Sequence, residues 1–174
     1  MQNVNRLNLF IFLTLSSLTL LGQSFEVGST QSEFVDYFKA HKDSLEPIEG
    51  IWERKTTTTI HYNYHRKSEN PTTIEQDIAI VKSNGLYEVF LFSNEVCVSK
   101  NPEVCVISQS AIPNRYYFSA KWPSWCHEVV NLAFVIKDNS FSFDYTHDCT
   151  PHEDDKYNYQ ATVNDVWNKL FPTK

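Results

Sequence analysis

The sequence is poor in glycine and has none of the short motifs that mark common enzyme sites. Only four of its 174 residues are glycine, so a loop that cradles phosphate with successive backbone N–H groups is not expected. There is no G-x-S-x-G, H-E-x-x-H, P-loop or G-x-G-x-x-G pattern. These absences argue against an enzyme, and we expect no cofactor.

Basic residues are also scarce. The chain has 15 Lys and Arg against 21 Asp and Glu, a formal net charge of −6. Binding to a nucleic acid needs a basic patch that neutralises phosphates, and the sequence contains none. The charge balance therefore excludes nucleic-acid binding and adhesion to anionic lipid from the expected functions.

The sequence has a single long hydrophobic run, and it lies at the N-terminus. Arg6 precedes the 13 uncharged residues from Leu9 to Leu21, and Gly22, Gln23 and Ser24 follow. This layout is typical of a cleaved secretory signal, and the run is shorter than the roughly 20 residues of a spanning helix. We therefore predict a signal peptide over residues 1–23 and one domain over 24–174. The protein is expected to be secreted or periplasmic, without membrane insertion.

The four cysteines lack the C-x-x-C spacing of a zinc or redox site. An even number of cysteines in an exported chain indicates two disulfides, for which three connectivities exist. Cys97 and Cys105 lie almost symmetrically about a predicted turn at Asn101-Pro102, and Cys126 and Cys149 about one at Asp138-Asn139. Because facing residues of a hairpin have this symmetry, we predict the pairs 97–105 and 126–149.

An amphipathic helix is predicted close to the start of the mature chain. Thr30 followed by Glu33 forms a capping box, and Pro47 helps to end the helical segment. Large side chains then recur on one face of a helix. That face comprises Phe34, Phe38, His41 and Leu45.

From Gly50 onward the apolar residues alternate with a period of two. The segment "SFSFDYT", from Ser140 to Thr146, is the clearest case. Turn signals separate such segments, among them Asn84-Gly85, Pro113-Asn114 and Asp138-Asn139. The pattern predicts a mainly β fold of about eight antiparallel strands, either a barrel or a sandwich.

The C-terminal segment changes period again. Val163, Val166, Trp167 and Leu170 have helical spacing, and Pro172 follows. We therefore predict a short final helix that packs its tryptophan against the strands.

The tripeptide Gly50-Ile51-Trp52 resembles the signature that opens the first strand of the lipocalins and the wider calycin group. The segment Phe143–Thr146, "FDYT", is similar to a second lipocalin motif. The resemblance implies an eight-stranded barrel whose closed end is plugged by the tryptophan. Lipocalins usually place an arginine after the last strand, on that tryptophan, whereas the last arginine here is Arg115. The phrase "PIEGIW" also resembles the opening of secreted bacterial β-rich domains without an assigned role.

Aromatic side chains on the predicted strands could line a ligand cavity in a barrel of this kind. Our candidate ligand-binding residues are Trp52, Phe90, Phe92, Tyr116, Phe118, Phe141, Phe143 and Tyr145. They favour an exported binding protein that holds a small hydrophobic ligand. In a filled barrel or sandwich the same residues would form only the core, and the protein would act through its surface. Trp122 and Trp125 would then be the contact residues.

A third hypothesis is a metal-dependent enzyme. His147 and His152 lie among several carboxylates and are candidate metal ligands. Pro151 and Cys149 stand between them, however, so no helix presents both on one face. A solvated acidic loop explains the same cluster.

Overall fold

The computed structural model describes residues 24–62, 67–68, 70–100, 106–121, 129–149 and 159–173, without the side chains of a few residues at the strand ends. It contains one helix in this part of the chain, α1 (Gln31–Ala40), and ten strands. The strands are β1 (Gly50–Tyr62), β2 (Lys67–Ser68), β3 (Thr72–Ser83), β4 (Leu86–Ser93), β5 (Val96–Lys100), β6 (Val106–Gln109), β7 (Arg115–Lys121), β8 (Val129–Val135), β9 (Ser140–Cys149) and β10 (Tyr159–Phe171). None of the described helices is long and apolar enough to cross a bilayer.

The strands form a nearly closed antiparallel barrel. Their order is β8-β7-β6-β4-β3-β1-β10-β9, so most strands pair with the next one along the chain, and β10 returns to pair with β1. β5 and β6 lie one after the other along β4, and β2 pairs only with β1, which leaves eight positions around the wall. β8 and β9 stand at the two ends of this order and follow each other along the chain, connected by a turn in which Lys137 and Ser140 form a bridge. The prediction of about eight antiparallel strands is confirmed, in the barrel form.

Alternation along the strands produces two separate cores, because successive side chains point to opposite faces. The inner core fills the barrel and includes Trp52, Tyr116, Phe141 and Trp167. The outer core lies between the wall and α1, where Phe34 and Phe38 are fully buried. The three turns predicted at Asn84-Gly85, Pro113-Asn114 and Asp138-Asn139 are present. Asn84, Asn114, Asp138 and Asn139 adopt the positive φ that such turns require.

The helix begins at the predicted capping box. The Thr30 hydroxyl accepts from the Glu33 backbone N–H, and the Glu33 carboxylate accepts from the Thr30 backbone N–H. The segment before it runs beside β5, where the Gly28 N–H donates to the Cys97 carbonyl at 2.8 Å. Phe25 then enters the outer core and stacks on Phe34 at a ring-centroid distance of 3.9 Å. The helix and the chain before it thus cover the outer face of β3, β4 and β5.

The predicted C-terminal helix is wrong, because Tyr159–Phe171 is the long strand β10. It pairs with β1 on one side and with β9 on the other. Val163, Asp165 and Trp167 face the inner core in alternation and are at most 1% exposed. Val163 and Trp167 are four apart, a separation that suits a helix face and a strand face alike. The residues adopt the strand conformation because backbone pairing with β1 and with β9 is available on both sides.

One end of the barrel is closed by Trp52 and the segment that leads into β1. The Trp52 Nε1 donates to the Ile48 carbonyl at 2.8 Å. The Lys169 Nζ lies 5.4 Å from the Trp52 ring centroid and donates to the Pro47 carbonyl at 2.8 Å. A lysine within the last strand therefore takes the place above the tryptophan where the lipocalin resemblance implied an arginine.

The strands on either side of Asn101-Pro102 differ from the expected hairpin. β5 and β6 both run antiparallel to β4, with Cys97 opposite Phe92 and Ile107 opposite Tyr87, so they do not form a hairpin with each other. Cys97 is buried in the outer core and has no disulfide partner among the described residues. Cys105, Cys126 and the Cys149 side chain lie outside the described residues, and the pairs 97–105 and 126–149 stay predictions.

Candidate ligand site inside the barrel

Aromatic rings fill the closed half of the barrel. Phe141 lies at the centre of this group, with ring-centroid distances of 4.2 Å to Phe134, 5.0 Å to Trp167 and 5.1 Å to Trp52. Trp52 and Tyr116 are 0% exposed. This layer forms the floor of the barrel, which we call the aromatic floor.

Above the floor, the interior becomes accessible to solvent. Along β9, the exposed fraction of the inward side chains rises from 5% at Phe141 to 8% at Phe143 and 9% at Tyr145. Leu91, Val130 and Leu132 also pack against the inner core and are only partly buried. The barrel is therefore packed at the Trp52 end and opens toward the ends of β7 and β9.

The open half contains an ion pair that faces the interior. Arg54 follows Trp52 by two residues, and Asp165 precedes Trp167 by two, so all four share the inner face. The Arg54 Nη2 donates to Asp165 Oδ2 at 2.6 Å, and its Nε lies 3.1 Å from both carboxylate oxygens. Asp165 Oδ1 also accepts from the Thr56 hydroxyl at 3.0 Å and from Trp167 Nε1 at 3.1 Å.

The two members of this pair differ in accessibility. The Asp165 side chain is 0% exposed and the Arg54 side chain 25%, although the guanidinium carbon lies 5.2 Å from the centroid of the buried Trp167 ring. A quarter of an inward-facing side chain is thus reached by solvent.

The two sides of the open half have different chemistry. On β1, Arg54, Thr56 and Thr58 follow Trp52 on the inner face, and Gln76 of β3 stands opposite Arg54. The facing wall, from β7 to β9, presents apolar side chains. These are Phe118, Val130, Leu132, Phe143 and Tyr145.

A cluster of polar side chains lies next to the aromatic floor and stabilises the closed end of the barrel. The Glu46 carboxylate accepts from Lys82 Nζ and from the Tyr87 hydroxyl. Glu49 is 4% exposed and accepts from the backbone N–H of Lys82 at 3.0 Å and of Glu46 at 2.9 Å. These contacts hold the segment before β1 across the barrel end.

The ionisable groups of this cluster have displaced pKa values. Burial by itself raises the pKa of Glu46, but hydrogen bonds from Lys82 and Tyr87 outweigh burial and hold the pKa below its ordinary value of 4.5. Burial, aided by the Glu46 hydrogen bond, raises the pKa of Tyr87 far above 10.0. Burial and the Glu46 charge raise the pKa of Tyr116 to about 12. The Tyr116 hydroxyl lies near the Ile48 backbone and the Tyr87 hydroxyl, but in the described structure it makes no hydrogen bond of good geometry.

The displaced pKa of Glu46 predicts a pH-dependent contribution to stability. A folded-state pKa below the unfolded value stabilises the fold above pH 4.5, and the contribution disappears as pH falls through the folded pKa. Glu46→Gln should therefore lower the free energy of unfolding by about 1 kcal/mol at pH 7, and the two proteins should converge as the pH falls below 4.5 and through the folded pKa of Glu46. Urea titrations from pH 7 to 3 measure this difference. Glu75→Gln breaks the exposed pair with Lys55 and should show a smaller difference; a gap that widens in acid would contradict the assignment.

The predicted ligand-binding residues fall into two groups. Trp52, Tyr116, Phe118, Phe141, Phe143 and Tyr145 lie in the inner core. Phe90 and Phe92 lie on the other face of β4, in the outer core beside α1, and so do not line the barrel interior. Of the candidate metal ligands, His152 and the His147 side chain lie outside the described residues, as do Trp122 and Trp125. Within the described part, no group of three or more His, Cys, Asp or Glu side chains could hold a metal ion.

Arg54 and Asp165 were not predicted as site residues, although the sequence contains a signal for them. Each is two residues from a tryptophan in a strand, so each shares the inner face with that tryptophan. In "IWERKT" the alternation places Arg54 on the inner face, and in "VNDVW" it does the same for Asp165. Because the second segment was predicted to be a helix, Asp165 was not assigned to the inner face of a strand.

An open acidic groove lies on the outside of the barrel, where α1, β3 and the β4–β5 turn meet. It encloses about 630 Å³ and is lined by Glu53, Glu75, Asp77 and Glu95 together with neutral polar residues. Within it, the Gln31 side chain donates to Asp77 at 3.4 Å. The groove differs in character from the apolar interior and is separate from it.

Comparison of the chain with models of protein families, with curated proteins and with solved structures found no match. The fold itself defines a nearly closed, eight-stranded antiparallel β-barrel with an aromatic floor.

Proposed function

We propose that the protein is an exported small binding protein that holds a small apolar ligand inside a lipocalin-like barrel. The N-terminal pattern of residues 1–23 supports export after signal cleavage, which would leave one domain starting near Ser24. The observation that carries the binding proposal is the accessibility of Arg54. It faces the interior beside the buried Trp167, yet 25% of its side chain is exposed.

The shape of the interior supports this function further. Along β1 the inward side chains change from fully buried at Trp52 to partly exposed at Arg54, Thr56 and Thr58, whereas the inward side chains of β10 stay buried. A closed floor with an apolar wall above it is the usual form of a small-molecule site. The proposal places the ligand above the floor, against that wall.

Two neighbouring threonines on β1 give a direct test. Thr58 faces the interior, since it is an even number of residues from Trp52, and Thr57 faces outward, where its hydroxyl lies 3.1 Å from that of Thr73. Thr58→Trp should fill the accessible half and weaken binding of the neutral dye N-phenyl-1-naphthylamine by at least about tenfold, because overpacking leaves no room for a ligand. Thr57→Trp, on the outer face, should bind like the wild type. Dye fluorescence titrations measure both affinities.

The outcome that contradicts the proposal is absence of dye binding by the wild-type protein, together with a bare mass in native mass spectrometry. That result would favour the alternative, a secreted structural or protein-interaction domain with a filled core. Exposed apolar residues on the outer face of the barrel favour this alternative: Val106, Tyr117 and Val135 are 58%, 47% and 56% exposed. Equal binding by Thr57→Trp and Thr58→Trp would place the dye outside the barrel.

A further inference from the structure

We propose that the acidic groove on the outside of the barrel binds an extended basic peptide, which pairs with a free edge of β3. The inference concerns a second site and does not depend on a ligand inside the barrel. It rests on an interruption of the sheet, on carboxylates that no cation neutralises, and on an exposed isoleucine beside them.

The groove lies where β4 separates from β3. The ladder between these two strands ends at Ile78 and Leu91. Continued by one residue, it would join Asp77 to Phe92, but Phe92 pairs with β5 instead, and the groove opens between the two residues. β5 has one extra residue here, Val98, and a bulge of this kind increases the local twist and bends the strand. The bulge accounts for the separation of the β4–β5 hairpin from β3.

β3 consequently has a free edge from Thr72 to Asp77. Within the described residues this stretch pairs with β1 alone, so every second residue turns its backbone N–H and C=O to the other side without a backbone partner. Unpaired groups of this kind are a template for another strand, and the addition of a peptide strand to a sheet edge is a common mode of recognition. The peptide would take the place that β4 leaves empty.

Charge determines which peptide fits. Glu53 of β1 stands directly opposite Asp77, both on the outer face of the sheet, and Glu95 also lines the groove. None of these three carboxylates forms an ion pair with the described cations, and like charges in facing positions destabilise a sheet. A positive charge bound beside them would relieve this repulsion. Glu75 adds a fourth carboxylate, which pairs with the exposed Lys55.

The carboxylates are spread along the groove, which favours a chain of cations over a single ion. In the described part of the protein, no group of three or more His, Cys, Asp or Glu side chains could hold a metal ion. Glu75 and Asp77 are two residues apart on one strand, hence about 7 Å apart along the edge. Alternate residues of a paired peptide have the same spacing, so basic residues at every second position would lie opposite them.

The opposite face of the same edge offers an apolar contact. Ile74 is 62% exposed, and Ile74 and Gln76 alternate with the two carboxylates along β3. The residues between the basic positions of the peptide would lie on this face, where an apolar side chain can cover Ile74. The groove therefore selects a strand in which basic and apolar residues alternate.

The test is calorimetric titration with a seven-residue peptide that has lysine at its second, fourth and sixth positions, valine between the lysines and threonine at both ends. A control peptide has the same side chains on N-methylated backbone nitrogens, which cannot donate to a strand edge. Each peptide is added to the wild type, to the double variant Glu53→Gln/Asp77→Asn and to Asp138→Asn/Asp144→Asn. The last variant removes two exposed carboxylates outside the groove, so it matches the change in net charge.

We expect the lysine–valine peptide to bind the wild type, and the N-methylated peptide to bind at least about tenfold more weakly, because it loses the hydrogen bonds to β3. Glu53→Gln/Asp77→Asn should weaken the unmodified peptide about tenfold, since one exposed ion pair contributes up to about fivefold. Asp138→Asn/Asp144→Asn should bind within about twofold of the wild type. The urea midpoint of Glu53→Gln/Asp77→Asn should equal or exceed that of the wild type, because two like charges in facing positions are removed.

Three results would overturn the inference. Equal affinity for the unmodified and N-methylated peptides would show that the edge of β3 takes no part. Equal weakening by the two double variants would attribute binding to the net charge of the protein. No binding of the unmodified peptide to the wild type would remove the site, and it would leave the proposal of a ligand in the barrel standing, since that proposal is tested with a neutral dye.

Discussion

Asp165→Ala is expected to lower the free energy of unfolding by about 3 kcal/mol, the lower end of the range for removing one partner of a buried ion pair. The substitution leaves Arg54 charged in the barrel without its counter-ion, and it also removes the acceptor of Thr56 and Trp167. The lower end applies because 25% of the Arg54 side chain is exposed and can be partly solvated. Since small domains are stable by about 5–15 kcal/mol, the loss should be evident as a lower urea midpoint in tryptophan fluorescence and circular dichroism.

The double variant Arg54→Met/Asp165→Asn separates the charge effect from the loss of packing. With both charges gone and an acceptor retained for Trp167, it should lie within about 1 kcal/mol of the wild type, because a buried ion pair contributes little net stability over a neutral replacement. Arg54→Met alone should be destabilised by a few kcal/mol, since it strands a carboxylate that is 0% exposed. A double-mutant cycle over these variants gives the coupling between the two residues. Additive losses would show that the two side chains do not stabilise each other.

Sequence patterns predicted antiparallel strands in a barrel or a sandwich, because apolar residues alternate with a period of two along several segments. Each segment with one apolar face needed a partner, and turn residues at Asn84-Gly85 and Asp138-Asn139 marked the reversals. An antiparallel meander brings such strands together without long crossovers. The capping box at Thr30 was equally predictable, because its hydrogen bonds are local.

Features that depend on long-range pairing were not predictable in the same way. β10 gains its strand conformation from β1, far earlier in the chain, and from β9. Its inner face carries Asp165, which breaks the apolar alternation that would have revealed the strand. The burial of that carboxylate is intelligible only once Arg54 is known to lie beside it. The Arg54–Asp165 pair could therefore not be predicted from the sequence, because the prediction needs the same long-range pairing that forms β10.

The assignment of aromatic residues to the interior had a related limit. Alternation tells which residues share a face, but not which face is inside. Leu91 and Val89 point into the barrel, whereas Phe90 and Phe92 point toward α1. Both faces of β4 are apolar because both are covered, one by the opposite wall and one by the helix. The ring contacts of Phe34 with Phe90 and Phe92 show that this face of β4 is the outer one.

Gly50→Ala is expected to be among the most destabilising single substitutions outside the ion pair, with a loss of about 3 kcal/mol. Gly50 has a φ of +147°, a value that L side chains rarely adopt, and a Cβ there would lie 2.2 Å from the Phe171 carbonyl oxygen. That oxygen belongs to the backbone of β10 and cannot rotate away. To admit the methyl group, β10 must move from β1 at the point where Lys169 covers Trp52.

Gly85→Ala is the matched control, because it separates strain from the clash. Gly85 also has a positive φ, +82°, but a Cβ there would meet nothing within 4 Å. Its substitution should therefore cost only the conformational strain, about 1 kcal/mol. Urea unfolding gives both values, and near-ultraviolet circular dichroism reports whether the Trp52 environment changes in Gly50→Ala alone. Equal losses for the two variants would show that backbone conformation, and not the approach of β10, requires glycine before Trp52. A larger loss at Gly50 would show that the glycine of the Gly50-Ile51-Trp52 tripeptide is needed where the first and last strands close the barrel.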